Sequence, residues 1–318
     1  MTDVVTLVGH SARDAYREEA GYRPLGAPAQ PSRALSASQL RMMITEARTL
    51  VGPHAFDACQ AKHRKGQASP TPPAQPHRLM MLADYVLETA RKMEAPRPWQ
   101  MPVWPIVELQ TILAVLQRWQ THAAWSGLVS ALPTEFEHTV AHLVMASYLV
   151  DAGNGVGIGK PEGMVGVKVP DMWVQADVSK RLDLEVKTPV SLRGPRSAVS
   201  REEAARMLKH HLKRTVSGGS QQLSGRDGIL ALCGFSLESP DLDVLEATAQ
   251  SLLASRAQRH TRFVGIVVAT IGFTAEEHGR EITGSMDTRL VIHPGYKGTL
   301  KIDQRQPDGR VSQAFDVP

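Results

Sequence analysis

Residues 167–189, VKVPDMWVQADVSKRLDLEVKTP, contain Asp171, then Glu185 fourteen residues later and Lys187 two residues after that, and this spacing is the most informative feature of the chain. Residues 165–174 are rich in valine and predict one strand, and residues 181–188 predict a second. The polar residues 175–180 connect the two. This stretch therefore predicts a β-hairpin, and the hairpin indicates an α/β fold because helical segments lie on both sides of it.

The second predicted strand brings an acid and a base together. Because side chains alternate along a strand, Glu185 and Lys187 project from one face and Val186 from the other. Asp171 follows Pro170 on the first strand and would supply a second carboxylate. Carboxylate oxygens are hard ligands that suit Mg²⁺ or Mn²⁺, and such an ion activates water beside a phosphate. The hairpin therefore predicts a metal site formed by Asp171 and Glu185, with Lys187 next to the water or the phosphate.

The motif Pro170-Asp171 followed by Glu185-Val186-Lys187 resembles the signature of the PD-(D/E)XK nuclease superfamily, the restriction-endonuclease-like fold. The order of the neighbouring elements is also similar: a helix precedes the hairpin, and a helix and a strand follow it. These flanking segments are residues 134–150, 200–216 and 228–235. The resemblance covers roughly residues 130 to 275. It implies a mixed central sheet flanked by helices, Mg²⁺- or Mn²⁺-dependent phosphodiester hydrolysis, and catalytic roles for Asp171, Glu185 and Lys187.

Further site residues are expected outside the hairpin. By resemblance, Glu137 on the preceding helix is a candidate third catalytic acid, and Gln222 contributes to the active-site face. The helix over residues 200–216 is rich in basic residues, so Lys209, Lys213 and Arg214 are candidate nucleic-acid ligands. A basic helix face that is simply solvated is the alternative for these three residues.

The site residues also have structural explanations. Glu185 and Lys187 can form the polar face of a half-exposed strand. Glu137 can complete a capping box with Thr134, in which both side chains bond free backbone N–H groups. Burying a charged cluster is costly unless the cluster binds something, and this cost favours the metal site for the hairpin. His138 and His142 have the spacing of two zinc ligands, but the glutamate that zinc peptidases place after the first histidine is missing.

The length and composition predict two units. A chain of 318 residues with 42% hydrophobic content can bury a large core. We expect residues 1–130 to be mainly helical, with a proline-rich linker over residues 63–77, and residues 131–318 to form the nuclease-like domain. The first 35 residues predict an extended arm. The remaining predicted elements are helices over residues 39–51, 78–92, 106–120 and 242–253, strands over residues 262–270, 289–292 and 299–302, and a turn over residues 153–160.

Charge and cysteine content narrow the class of protein. The 36 basic and 32 acidic residues give a formal charge of +4, which is compatible with nucleic-acid binding without demonstrating it. The 2 cysteines lie far apart, so neither a disulfide framework nor a zinc ribbon is implied. The sequence has no apolar run long enough to span a membrane and no secretory leader, so we expect a cytoplasmic protein.

The expected activity is that of a Mg²⁺-dependent endonuclease acting on DNA, in restriction, repair or defence. Two alternatives stay open: a catalytically silent binding or assembly module that kept the fold, and a metal-dependent RNase or toxin. Because the helical amino-terminal region lacks catalytic motifs, it is the predicted surface for a homodimer or a partner protein.

Overall fold

The computed structural model of the chain describes residues 36–69, 77–95, 104–122, 125–151, 155–158, 170–177, 180–193, 198–217, 223, 227–235, 237, 239–256, 263–275, 281–296 and 314–316. The chain divides into two compact units. The helical unit comprises Arg23–Val140, Phe273–Ser285 and Val311–Pro318, and the sheet unit contains Ala141–Gly272 and Met286–Arg310. The boundary between Val140 and Ala141 falls within a helix.

The helices of the described part of the helical unit are numbered here along the chain. They are α1 (Ala37–Val51), α2 (Pro53–Gln67), α3 (Arg78–Met93), α4 (Trp104–Trp119), α5 (Trp125–Ala131) and the first residues of α6 (Phe136–Asp151). Ser36 caps α1 in a capping box with Gln39, which satisfies backbone N–H groups that have no partner within the helix. Fully buried aliphatic side chains such as Leu40, Met80 and Leu109 form the core of the helical unit.

Two predictions for this unit are wrong. Helix α2 continues to Gln67, so residues 63–67 are helical and not part of a linker, while residues 70–76 of that predicted linker lie outside the described residues. Helix α6 begins at Phe136, and the hydroxyl of Thr134 donates to the carbonyl of Ala131 at 3.4 Å, so the predicted capping box does not form. The predicted amino-terminal arm also lies outside the described residues.

The sheet unit is built on strands, with two further helices. Its elements are β1 (Gly155–Ile158), β2 (Met172–Asp177), β3 (Lys180–Lys187), α7 (Arg201–Leu212), β4 (Gly228–Phe235), α8 (Ser239–Ala254), β5 (Phe263–Ala275) and β6 (Glu281–Ile292), of which β5 and β6 extend into the helical unit. The strands are neighbours in the order β1-β2-β3-β4-β5-β6. Strands β1, β2 and β3 pair antiparallel, whereas β3, β4 and β5 pair parallel, so the sheet is mixed. A short strand, β7 (Ala314–Asp316), pairs antiparallel with Glu281–Thr283 in the helical unit.

The predicted hairpin is confirmed, with a shorter connection than expected. Strands β2 and β3 are antiparallel, and Met172 pairs with Leu184. The predicted turn over residues 153–160 is wrong for residues 155–158, which form β1. A Cβ at Gly157 would lie 2.1 Å from the Trp173 ring, so glycine at this position lets the indole pack across the neighbouring strand.

Helices cover both faces of the sheet within this unit. Leu230 and Leu232 of β4 belong to one buried cluster with residues of α7 and α8, including Leu208 and Leu245. Side chains alternate along a strand, so Cys233 points to the opposite face, where its thiol lies 3.9 Å from the carbonyl of Ala141 in α6. The α/β class with a mixed sheet is therefore confirmed.

The predicted helices and strands agree with the structure, apart from their ends, wherever the structure describes them. The predicted strand over residues 299–302 lies outside the described residues. The predicted helix over residues 200–216 is α7, and a π-helical turn over Lys213–Ser217 continues it. At the start of this helix Ser200 accepts a hydrogen bond from the N–H of Glu203 at 3.2 Å. No helix in the described segments has both the length and the apolar character needed to cross a bilayer.

Candidate active site

The candidate site lies at the carboxyl end of β3. In the parallel register Glu185 pairs with Leu230 and Lys187 pairs with Leu232, so both polar side chains lie on the face that α7 and α8 cover. Because that face is covered, the Glu185 side chain is fully buried (0% exposed), while Lys187 is partly exposed. The alternation predicted for β3 thus places a carboxylate in the protein interior with an ammonium group nearer to solvent.

Asp171 meets Glu185 across the hairpin. The last β2–β3 pair at this end joins Met172 to Leu184, and beyond it the N–H of Val186 donates to Oδ2 of Asp171 at 2.9 Å. The backbone N–H of Asp171 in turn stabilises the Glu185 carboxylate. These two hydrogen bonds take the place of the next backbone pair between β2 and β3, and they hold both acids at the end of the hairpin.

Glu185 is strongly perturbed by this environment. Burial raises the pKa of its carboxyl to about 7, and the neighbouring charge of Asp171 acts in the same direction. The ammonium group of Lys187, which contacts Oε1 of Glu185, lowers the pKa but does not offset the other two effects. At neutral pH both the protonated and the ionised form of the Glu185 carboxyl are therefore populated. Any added positive charge would favour the ionised form.

The residues fit a divalent metal ion. Asp171 and Glu185 offer carboxylate oxygens, the donor type that Mg²⁺ and Mn²⁺ prefer. Oε2 of Glu185 is buried and has no hydrogen-bond partner within the described part of the chain. A buried carboxylate oxygen without a donor is costly, and a cation would remove that cost.

One further residue of the sheet unit approaches these acids. His142 of α6 places Nε2 3.6 Å from Oδ2 of Asp171. In the sequence His142 has the spacing of a zinc ligand paired with His138, one helical turn away. That spacing does not connect it with Asp171. Only the i, i+4 spacing drew attention to this histidine, and that spacing does not reveal a contact with the hairpin.

Glu137 lies in the helical unit, in the first turn of α6, and is half-buried. Burial lowers the pKa of His77, and the nearby charge of Glu137 opposes this effect without offsetting it. His77 packs against Phe136, with ring centroids 5.4 Å apart. The role of Glu137 as a third catalytic acid stays a prediction.

The predicted nucleic-acid ligands lie on α7 and the turn that follows it. Lys209, Lys213 and Arg214 are all exposed. Burial is the main cause that lowers the pKa of His211, and the charge of Arg214 acts in the same direction, so this arginine lies near His211. Gln222 lies outside the described residues.

An open cleft of about 730 Å³ begins where β3 ends. Its walls are the segment after β3 and one side of α7: Thr188, Pro189, Val190, Ser191, Glu203, Arg206, Met207, His210 and His211. Burial lowers the pKa of His211 to about 4, and the nearby charges of His210, Lys187 and Arg214 act in the same direction. His211 is therefore neutral at physiological pH, and no sequence pattern distinguishes it from the exposed residues next to it.

No protein-family model, curated protein or solved structure matches this chain. The geometry and electrostatics of the chain's own residues are therefore what indicates a function.

Proposed function

We propose that the protein is a Mg²⁺- or Mn²⁺-dependent endonuclease that hydrolyses DNA phosphodiester bonds and that its sheet unit is a restriction-endonuclease-like domain. The observation that carries the proposal is the state of Glu185, which is fully buried with a pKa raised to about 7 and one carboxylate oxygen without a hydrogen-bond donor among the described residues. A carboxylate in this state is poised to bind a cation.

The elements around the hairpin support the fold assignment. Along the chain α6 precedes the β2–β3 hairpin, and α7 and β4 follow it, as the motif resemblance implies; β1 is an additional strand between α6 and the hairpin. The aspartate and the glutamate meet at the same end of the hairpin, and the lysine follows the glutamate on the same face. The spacing of the motif in the sequence therefore corresponds to a spatial cluster.

Each residue has a role in the proposed reaction. A divalent ion held by Asp171 and Glu185 would activate water and neutralise charge on the phosphate. Asp171 also fixes the end of the hairpin, since its carboxylate accepts the N–H of Val186. Lys187, on the solvent side of Glu185, would orient the attacking water or donate to a phosphate oxygen. When Glu185 binds a cation its contact with Lys187 weakens, which would free the ammonium group for that task.

A second candidate is a silent binding module, and the contact between Lys187 and Glu185 favours it. An ammonium group that neutralises a buried carboxylate is also a structural ion pair, which needs neither a metal nor a substrate. The two candidates differ in metal affinity, because only the nuclease requires Asp171 and Glu185 to bind an ion.

The test measures metal binding and cleavage separately. Purified full-length protein is titrated with Mn²⁺ by calorimetry and incubated with supercoiled plasmid, single-stranded DNA and RNA in Mg²⁺, in Mn²⁺ or in EDTA. We expect Glu185→Gln to lose both Mn²⁺ binding and cleavage, and Lys187→Met to keep Mn²⁺ binding but lose cleavage. Asp183→Asn is the matched control, because Asp183 is a buried acid two residues earlier on the same face of β3.

The outcomes separate the candidates. Mn²⁺ binding and DNA cleavage that depend on Glu185 support the DNase, and cleavage of RNA alone would reassign the substrate. If the wild-type protein neither binds Mn²⁺ at Glu185 nor cleaves any substrate, the nuclease proposal is wrong and the binding module replaces it.

A further inference from the structure

The cleft beside Lys187 has walls that the proposed cleavage reaction does not use. It starts at Thr188, the residue after Lys187, and runs between the Pro189–Ser191 segment and α7. The guanidinium group of Arg193 donates to the carbonyl of Thr188 at 2.8 Å and to its hydroxyl at 3.0 Å. Leu192 is buried in the core between the sheet and the helices. The short 3-10 helix Val190–Leu192 in this segment is therefore held in place at both ends, and the cleft has a defined shape.

The walls of this cleft include several apolar groups. Pro189, Val190 and Met207 line it, and Val190 is 61% exposed although the residues on both sides of its helix are anchored. Val190 extends the apolar wall formed by Pro189 and Met207, so an apolar group that enters the cleft would contact all three side chains. The volume of about 730 Å³ lies in the range of sites that hold a small molecule or a similar part of a larger ligand.

The charges on the cleft are unsuited to a run of phosphates. His211 is neutral at physiological pH, because its pKa is lowered to about 4, and Glu203 contributes a carboxylate to the wall. Arg206 is an exposed cation on the cleft, so a single phosphate can be neutralised there. A flat neutral group with one attached phosphate matches this arrangement better than a polyanionic backbone does.

We propose that the cleft lined by Val190, Met207 and His211 holds one unpaired nucleobase of the DNA strand whose phosphate lies at the Asp171–Glu185 site. The base would pack on Val190 and Met207, and the neutral imidazole of His211 would hydrogen-bond the edge of the base. Arg206 would contact the phosphate of the nucleotide that carries this base. This inference rests on the proposed function and adds a substrate preference to it. A base inside a duplex cannot enter the cleft without leaving its stack, so single-stranded or frayed DNA is preferred over intact duplex.

The experiment measures binding without cleavage. A single-stranded DNA oligonucleotide containing 2-aminopurine is titrated with the full-length protein in EDTA, and the fluorescence reports on the environment of the base. Val190→Glu places a charge in the apolar wall at an exposed position where folding tolerates it. Met42→Glu is the matched control, because Met42 has the same 61% exposure but lies on α1. We expect Val190→Glu to weaken binding roughly tenfold and Met42→Glu to leave it unchanged.

A second arm identifies the base as the group that is bound. The same strand with an abasic position in place of 2-aminopurine, followed by anisotropy of an end label, should bind the wild type about tenfold more weakly. It should bind Val190→Glu with no further loss, because the base and Val190 would then belong to one interaction. Duplex DNA should compete weakly, and matched RNA strands and free mononucleotides show whether the sugar or the rest of the strand contributes.

The results distinguish this inference from the proposed function. Equal affinities for Val190→Glu, Met42→Glu and the wild type, or equal binding of the abasic strand, would overturn the base site even if the protein cleaves DNA. Base-dependent binding through Val190 in a protein that shows no metal-dependent cleavage would support the base site and remove the nuclease.

Discussion

Replacing Glu185 with glutamine should stabilise the protein, and the gain should depend on pH. Burial and the Asp171 charge raise the Glu185 pKa from 4.5 to about 7, so the folded protein holds this proton more tightly than the unfolded chain does. The associated stability is fully present below pH 4.5 and is lost as the pH rises through 7. At about 1.4 kcal/mol per pKa unit, the ionised Glu185 costs roughly 3 kcal/mol at pH 8 and above. Glutamine has the same shape but no charge, so Glu185→Gln removes that cost.

The assay is urea unfolding of both proteins at intervals between pH 4 and pH 9, without divalent metal. The quantity of interest is the difference in the free energy of unfolding between Glu185→Gln and the wild type. Titrating groups that do not interact with Glu185 contribute equally to both proteins, so their contributions cancel in this difference. We expect this difference to increase by about 3 kcal/mol from pH 4.5 to pH 8. A difference that is flat across this range, or that decreases towards pH 8, would show that Glu185 is not a strained buried acid and would refute the argument for a metal ligand.

Three further changes test other parts of the structure. His211→Asn should become more stable relative to the wild type as the pH falls from 6.5, because burial lowers the folded-state pKa of His211 to about 4. Solvent screening of this partly exposed ring reduces the expected gain to about 1–2 kcal/mol, and urea midpoints at pH 4 and pH 7 check it. Arg78→Met should cost about 3–5 kcal/mol because it leaves the buried Glu108 carboxylate unpaired, and adding Glu108→Leu should recover much of the loss in the same urea assay. Gly157→Ala should cost about 1–3 kcal/mol and shift the tryptophan fluorescence, because its Cβ would lie 2.1 Å from Trp173; an unchanged spectrum and unfolding midpoint would contradict the strand pairing.

Local patterns determined much of what the sequence could predict. The alternation along β3 predicted a polar face with Glu185 and Lys187, and this face follows from the twofold period of a strand in any fold. The apolar periodicity of residues 39–51 predicted helix α1, and Ser36, which caps it, stands directly before its first residue. These features involve residues close in sequence, so they do not require knowledge of tertiary partners.

The errors occurred where tertiary contacts decide the structure. Residues 155–158 have the glycine content of a turn, and they form β1 because β2 supplies a pairing partner and Trp173 needs the space beside Gly157. Helix α2 is a different kind of error, because it buries only Phe56 and His63 and its apolar periodicity is weak. The local preference of its lysine, arginine, alanine and glutamine residues for helix was the available signal for this element.

The candidate site was predictable only in part for the same reason. The spacing of the motif identified Asp171, Glu185 and Lys187, but it does not show that the N–H of Val186 bonds the Asp171 carboxylate. The approach of His142 to Asp171 and the effect of Lys187 on His211 join residues that are distant in sequence. Without homologous sequences, no pattern in a single chain connects these pairs.

Two fully buried glutamates in this chain show why burial alone does not indicate a function. Glu108 of the helical unit receives both Nε and a terminal nitrogen of Arg78, the latter at 2.7 Å, so a planar cation satisfies both carboxylate oxygens. Glu185 of the sheet unit contacts one lysine through Oε1, while Oε2 has no hydrogen-bond partner among the described residues. The arginine neutralises the Glu108 carboxylate and donates to both of its oxygens, so this glutamate does not need a cation from solution. Because Glu185 is equally buried but incompletely paired, binding of a cation there would relieve an existing cost, and this difference is the physical reason to assign the chemistry to the hairpin.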